Sequence, residues 1–457
     1  MQRLAEAAAA GPSAAQVRAL RHAVRGEVLT RGSRGYDAAR VLFNRRFDGV
    51  RPPAVVRVRG VADVQAVVRW AGRYGVPLVA RSGGHAYNGA STSGNAVVVD
   101  MGRLNQISLT GSTATLGPAA RNIDAYAALA RRGAALPSGS CPTVAVGGLV
   151  TGGGMGLAGR AMGLTLDRVS AFDIVTADGR RRHVDARHDA DLFWALRGGG
   201  GSFGIVTAVH LGVSRVASAA WFFASFPRAS REEALAVWDE LAPGAPDELT
   251  SIFTLRSDGA TALGQYLGSE SALRRLVASL GRVPGVRLSV GSSGYLALQR
   301  RWAGCADGGL AACRRYDRST FDASSMYVAR TLSAAARRAF LAAARTGAVL
   351  VCDAYGGAIN RVAPDATAFV HRRSRFSVQI LSYAPIGTAR SRVRRAHALI
   401  APYGNGQAYQ NYADLDLADA LRAYYGANLE RLVRIKTAVD PEGRFRIRQG
   451  IRSPAAT

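Results

Sequence analysis

The side chains able to act as nucleophile, metal ligand or base are few in this chain and lie far apart. Its seven histidines are His22, His85, His183, His188, His210, His371 and His397, and its four cysteines are Cys141, Cys305, Cys313 and Cys352. There is no Cys-x-x-Cys pair and no His-Glu-x-x-His, so neither a zinc module nor a zinc hydrolase is spelled out, and no metal ligand set is read. His183 and His188 are five apart in an Arg/Asp-rich segment and read as solvated. A serine hydrolase wants Gly-x-Ser-x-Gly on a strand-to-helix turn, and candidates here, such as Ser91 and Ser138, sit in other surroundings. A P-loop wants Gly-Lys-Ser/Thr, whereas the only lysine, Lys436, precedes Thr437 with no glycine loop ahead of it. Gly199-Gly200-Gly201-Ser202-Phe203-Gly204 fits G-x-G-x-x-G but leads into a strand, while a dinucleotide fingerprint opens a helix.

What survives is a histidine in the tight turn Arg81-Ser82-Gly83-Gly84-His85, a cysteine in Gly139-Ser140-Cys141-Pro142, and three glycine-rich loops without lysine. Such loops let backbone N–H groups approach an anionic ligand closely. A polar-aromatic string, Tyr409-Gln410-Asn411-Tyr412, lies near the far end, and Asp353 stands two residues before Tyr355-Gly356-Gly357 in a strand-like run. Taken singly, the histidine is compatible with a turn residue and the cysteine with an inert buried thiol.

The elements that must position these groups follow from the hydrophobic pattern. At 457 residues and 48% apolar content, the chain has material for two well-buried cores. Val17, Leu20 and Val24 predict a helix over 13–25. A strand over 55–58 follows Arg51-Pro52-Pro53. Asp63 caps a helix to Tyr74 with the stripe Val64, Val67, Val68 and Ala71, and Gly75 ends it. A strand over 76–80 then delivers the 81–85 turn. Strands over 96–100 and 113–116 and a helix over 123–132 lead to the densest glycine region, 144–156. Residues 171–184 read as a hairpin about Asp178-Gly179, and a strand over 205–213 follows the third glycine run. From about Ala217, strand-like runs (221–226, 252–255, 376–382) alternate with helix-like ones (231–241, 271–280, 333–344), the pattern of a second α+β domain on an antiparallel sheet. One helix, 417–439, closes the chain before Asp440-Pro441.

The net charge of +27 raises nucleic-acid binding, but the basic residues are scattered arginines without a basic tail, so no nucleic-acid partner is expected. No run approaches the roughly 18 apolar residues that span a bilayer, so no membrane partner is expected either. The start, Met1-Gln2-Arg3, Leu-Ala-Glu and a short alanine run, lacks an apolar h-region, which leaves the cytoplasm as default. Cys305 and Cys313, eight apart in a Gly/Ala-rich loop, are placed for a local disulfide, which suits an oxidising compartment and export.

Taken together, several strings resemble the berberine bridge enzyme-like oxidases of the vanillyl-alcohol oxidase group. They are the 81–85 turn, Gly139-Ser140-Cys141-Pro142-Thr143-Val144, Leu192-Phe193-Trp194-Ala195-Leu196-Arg197-Gly198-Gly199-Gly200 and Tyr409-Gln410-Asn411-Tyr412. The tail with Tyr424-Tyr425-Gly426, Asn428, Arg431-Leu432, Lys436 and Asp440-Pro441 resembles that family's C-terminus. The resemblance runs in the family's order from Tyr36 to Ile451. It implies an α+β fold: a two-subdomain FAD-binding domain of the PCMH type over 51–216, after an N-terminal helical segment over 1–50. A substrate domain on an antiparallel sheet over 217–402 would be inserted before a C-terminal segment, 403–457, that returns to the FAD domain.

The same resemblance implies FAD bonded through His85 to the 8α-methyl carbon and through Cys141 to ring carbon 6. Such a double tether leaves the cleft above the ring open for bulky substrates. Arg81, Ser82, Gly83, Gly84, Val144, Gly147, Gly148, Thr151, Gly152, Gly154, Gly156, Ile205, Val206, Tyr409 and Asn411 are expected around the cofactor. Tyr412 is expected as the base that takes the substrate's hydroxyl proton. A phenol of ordinary pKa, about 10, then needs its anion stabilised by an arginine or a hydrogen-bond network. Asp353 resembles the position of a helper carboxylate in some carbohydrate-oxidising members. Val144 stands three after Cys141, where oxygen-reactive members carry valine. Ser202 and Ala145 depart from the family's asparagine and glycine.

The expected activity is removal of hydride from an alcohol or hemiacetal carbon of a bulky sugar, glycoside or polycyclic metabolite. O2 is the expected acceptor, giving H2O2, and the protein is expected as a monomer or homodimer. Oxidative cyclisation or C–C bond formation on an alkaloid or polyketide is the alternative, and a flavin-binding protein without turnover a distant third.

Overall fold

The computed structural model describes residues 11–454, so the reading of Met1-Gln2-Arg3 lies outside the described residues. The first sheet has four strands in the order Glu27–Leu29, Val55–Arg57, Val97–Asp100, Leu78–Arg81. The last three run parallel, joined through the helix Val61–Tyr74, and the first pairs antiparallel on the edge. The N-terminal segment is therefore not wholly helical: after the helix Ala14–Ala23 it contributes this edge strand. The stripe Val64, Val67, Val68 and Ala71 is fully buried against Val56, Val97 and Val99. Each buried valine stabilises the layer by about 1.5–3 kcal/mol. The helix begins one turn before the expected cap, after Gly60. Asp63, inside its first turn, instead accepts hydrogen bonds from the backbone N–H of Arg25 and Arg59, each at 2.8 Å, and ties two loops to the helix start.

A second, antiparallel sheet has five strands in the order Ile107–Thr110, Thr113–Leu116, Ile205–Gly212, Val169–Val175, Arg181–Asp185. The helix expected over 123–132 spans Asn122–Ala130. The hairpin about Asp178-Gly179 forms between the last two strands of the chain-order pair, Val169–Val175 and Arg181–Asp185. The 144–156 glycine region is not a loop throughout, because Val146–Gly152 coils into a short helix.

The third sheet has seven antiparallel strands, all between Ser218 and Ser382. Their order is Arg287–Gly294, Ser218–Pro227, Gly259–Tyr266, Leu249–Leu255, Val349–Ala354, Phe376–Ser382, Asp322–Val328. Its strand Phe376–Ser382 shows how the sheet is used. Phe376, Val378 and Ile380 enter a core with Trp238 and Phe340, while the alternate residues Ser377 and Gln379 point to the opposite face, where the site lies. The helices Arg231–Gly244, Ala334–Arg345 and Ile386–Ile400 cover the apolar face; the last of these had no counterpart in the sequence reading.

The C-terminal helix is interrupted. Ala420–Tyr425 stops at Gly426, whose φ of 49° ends the turn, and Leu429–Val439 resumes after it. This break lets Tyr424 and Tyr425 enter the core. Lys436 is buried, donating from Nζ to the Ser202 carbonyl at 2.6 Å and the Phe445 carbonyl at 3.1 Å and pairing with the buried Asp440. Ser202 Oγ in turn accepts from the Ile451 N–H at 3.0 Å. The tail is thus stitched to the third glycine run. Cys305 and Cys313 are joined as a disulfide, and among the described residues no helix is long and apolar enough to cross a membrane.

Candidate active site

One cavity gathers residues from the loops of the first two sheets, the third glycine run and the C-terminal segment. It is lined by Ser82, Gly83, Gly84 and His85; by Cys141, Val144, Gly147, Gly148, Thr151 and Gly152; and by Gly200, Gly201, Gly204 and Val206. The C-terminal segment adds Tyr409, Gln410, Asn411, Tyr412, Tyr424 and Tyr425. At Gly148 and Gly201 the space a Cβ would take is open, so bare backbone faces the cavity.

His85 leaves the strand Leu78–Arg81 through Gly84, whose φ of 70° makes the turn. The imidazole stacks on Phe43 at 4.3 Å between centroids and meets the edge of Tyr316 at 5.4 Å. Tyr316 Oη donates to the Gly83 carbonyl at 2.9 Å, so a loop before the seven-stranded sheet's last strand clamps the turn. Burial, aided by the Arg121 charge, lowers the His85 pKa to about 4. The ring is neutral at neutral pH. Its Nε2 lies 3.1 Å from Thr143 Oγ1.

Cys141 is two residues from Thr143, so the two candidate anchors share one support. Asn122 Nδ2 donates to the carbonyls of Gly139 and Cys141, both at 3.1 Å, and Tyr126 Oη donates to Gly139 at 3.1 Å. The helix Asn122–Ala130 thereby fixes the cysteine loop. The thiol opens to the cavity, yet the enclosing walls and the nearby Asp353 charge push its pKa up.

Tyr412 sits on the cavity wall in a single turn, Gln410–Tyr412. Its Oη donates to Asp353 Oδ2 at 3.3 Å, and Ser377 Oγ, opposite Asp353 in the sheet register, donates to the same oxygen at 3.2 Å. Burial pushes the Asp353 carboxyl up to about 7, partly offset by those two hydrogen bonds. Burial, and then the Asp353 charge, holds the Tyr412 phenol well above its ordinary value. This departs from the expectation of a stabilised phenolate: the partner is a carboxylate rather than an arginine, and it favours the protonated phenol. Tyr87 stacks on Tyr412 at 5.8 Å and receives a hydrogen bond from Gln379 Nε2 at 2.6 Å. Neither residue was singled out in the sequence. The signal was there in Gln379, a large polar residue alternating with buried Val378 and Ile380.

Four residues expected at the cofactor do not line the cavity. Arg81 is buried, paired with Asp100 at 2.8 Å and donating to the Ala39 carbonyl, because the parallel register sets Arg81 directly opposite Asp100. Gly154 donates its N–H to Tyr409 Oη at 2.9 Å, and Gly156 packs on the Ser138 carbonyl, where no side chain fits. Ile205 lies in the apolar core beneath the first sheet. Asp353 also lies behind the lining and reaches the cavity through Tyr412.

A glycine-walled cleft with a neutral histidine, a thiol and a phenol–carboxylate pair fits a flavin dinucleotide: the bare backbone would admit the pyrophosphate, and the side chains would face the ring. Comparison with known proteins agrees in family and fold. The pattern described as FAD binding domain matches residues 52–185, and that described as Berberine and berberine like matches residues 408–452. The uncharacterized FAD-linked oxidoreductase YgaK of Bacillus subtilis is 30% identical over 449 residues, covering 93% of this chain and 96% of that protein. Chitooligosaccharide oxidase of Gibberella zeae is 27% identical over 454 residues, covering 93% of this chain and 92% of its own. The solved structure of Physcomitrella patens BBE-like 1 superimposes with a TM-score of 0.91 at 31% identity, covering 96% of this chain and 99% of the moss protein.

Proposed function

The chain belongs to the berberine bridge enzyme-like family of FAD-linked oxidoreductases, and on that premise we propose that it is a sugar oxidase with FAD bonded to both His85 and Cys141. The substrate gives up hydride from an alcohol or hemiacetal carbon, and O2 takes the electrons to yield H2O2. When bound, FAD supplies the two-electron acceptor that O2 reoxidises. Residues 51–216 and 403–457 form the FAD-binding unit and 217–402 the substrate unit.

The observation that carries this reading is the Tyr412–Asp353 hydrogen bond on the wall that His85 and Cys141 also line. A phenol held above its ordinary pKa is not a free base. It relays: as Tyr412 Oη takes the substrate's hydroxyl proton, its own proton passes to Asp353 Oδ2, whose pKa of about 7 suits a proton acceptor at neutral pH. Tyr87 and Tyr409 hold the Tyr412 ring in place by stacking and edge contact. Val144 on the cavity wall supports O2 as acceptor by its likeness to oxygen-reactive members. A carbohydrate substrate is supported by the likeness to chitooligosaccharide oxidase. The Cys305–Cys313 disulfide suits an oxidising compartment.

Replacing Tyr412 with Phe is expected to slow anaerobic flavin reduction by an oligosaccharide about 10²-fold or more while leaving bound flavin in place. Stopped-flow absorbance checks this, and an unchanged reduction rate removes Tyr412 from the relay. Peroxide release across oligosaccharides and polycyclic alcohols separates sugar oxidation from oxidative cyclisation.

A further inference from the structure

We propose that Asp173, His183 and His210 form a binding site for a divalent transition-metal ion of the zinc class, apart from the flavin cavity. The three come from adjacent strands of the five-stranded sheet. Asp173 lies on Val169–Val175, directly opposite His183 on one neighbour and opposite Ala208 on the other, two positions from His210. Their side chains project from the face opposite Phe172, Ile174, Val184 and Val209, which fill the core. None of the three lines the flavin cavity.

The donor atoms already stand at ligand spacing. His183 Nδ1 is 2.8 Å from Asp173 Oδ1, His210 Nε2 is 3.5 Å from Asp173 Oδ2, and one donor atom from each residue lies within 4.8 Å of the others. Tetrahedral zinc with bonds near 2.0–2.1 Å sets its ligands about 3.3 Å apart, so the strands need little adjustment. Thr115 Oγ1 lies 3.0 Å from His210 Nδ1. With the proton on Nδ1 donated to Thr115, the Nε2 lone pair is turned to the site, the outer hydrogen bond that metal-bound histidines ordinarily carry. That Nε2 is buried and has no hydrogen-bond partner among the described residues. Arg181 competes for Asp173 Oδ2 at 2.8 Å, but it is half exposed and free to swing into solvent. Three protein ligands leave a fourth position for water. The sequence hides this set because the ligands sit ten and twenty-seven residues apart on three strands rather than in a helical motif.

The test is calorimetric titration of the full-length, flavin-loaded protein with ZnCl2 after washing with chelator. The wild type should bind one equivalent and melt at a higher temperature with the ion, by mass action on the native state. His183→Ala and His210→Ala should each weaken binding at least tenfold. His188→Ala, which alters the exposed histidine beside Asp185, should leave it unchanged. His183 is exposed, so its loss leaves the fold intact, and unchanged flavin content checks this for each variant. No saturable binding in the wild type overturns the proposal. So does unchanged affinity in His210→Ala, or a loss in His188→Ala as large as in His183→Ala, which marks adventitious surface histidines.

Discussion

Asp353 is asked to hold a charge in surroundings that resist it. For the relay it must be deprotonated, so flavin reduction at low substrate should rise with pH through a midpoint near 7. In Asp353→Asn that rise should vanish and the rate fall about 10²-fold, and a wild-type pH profile in the variant would exclude the relay. Stability carries the opposite sign. The folded pKa of about 7 lies above the ordinary 3.8, so the native state takes up a proton between those values. The stability this brings is fully present below about 3.8 and lost as pH rises through 7, so Asp353→Asn should gain on wild type in thermal melts between pH 5 and pH 8. The anchors have their own test: His85→Ala and Cys141→Ala should each keep flavin on the acid-precipitated polypeptide, and the double variant should release it. Retention in the double variant would place the bonds elsewhere. His85, Cys141 and Tyr412, which line one cavity, and Asp353, bonded to Tyr412, could be picked out because each stands in a short, unusual string. Tyr87 and Gln379 were not, since Tyr87 reaches Tyr412, and Gln379 reaches Tyr87, only across the fold. Arg81 was misread for a complementary reason: it adjoins the glycine turn, but strand pairing gives it Asp100.

Among the elements, the C-terminal segment ties down the cavity's second glycine run. Tyr409 Oη accepts the Gly154 N–H and an Asn411 Nδ2 hydrogen at 3.0 Å, and Asn411 also donates to the Leu149 carbonyl at 3.0 Å. Tyr409→Phe keeps the ring but strands a buried N–H, so chemical denaturation should show a loss of about 1–3 kcal/mol with covalent flavin retained. Unchanged stability would mean that Gly154 finds another acceptor. Strands and helices with a clean period were readable: the stripe of Val61–Tyr74 and the alternation in Phe376–Ser382 follow directly from which residues are apolar. The helix break at Gly426 was missed because the apolar pattern continues across it. The edge strand Glu27–Leu29 was missed because three residues carry too little pattern to stand out from a helical neighbourhood.

At the scale of the molecule, a basic chain with net charge +27 depends on arginines spread over its surface and one lysine placed deep inside. That lysine, with Asp440, fastens the last helix to the third glycine run, and no partner of either charge is left in water. A lysine-specific protease therefore has a single cleavage point in the whole sequence, and the native fold conceals it. Digestion should be slow under native conditions and give one cut, after Lys436, at a rate set by opening of the tail. Comparing that rate with global unfolding in denaturant tells whether the tail opens alone or only with the rest. A cut much faster than unfolding would show the tail detaching from an otherwise intact molecule. The buried ammonium group thus doubles as a built-in reporter, readable on a gel without any label.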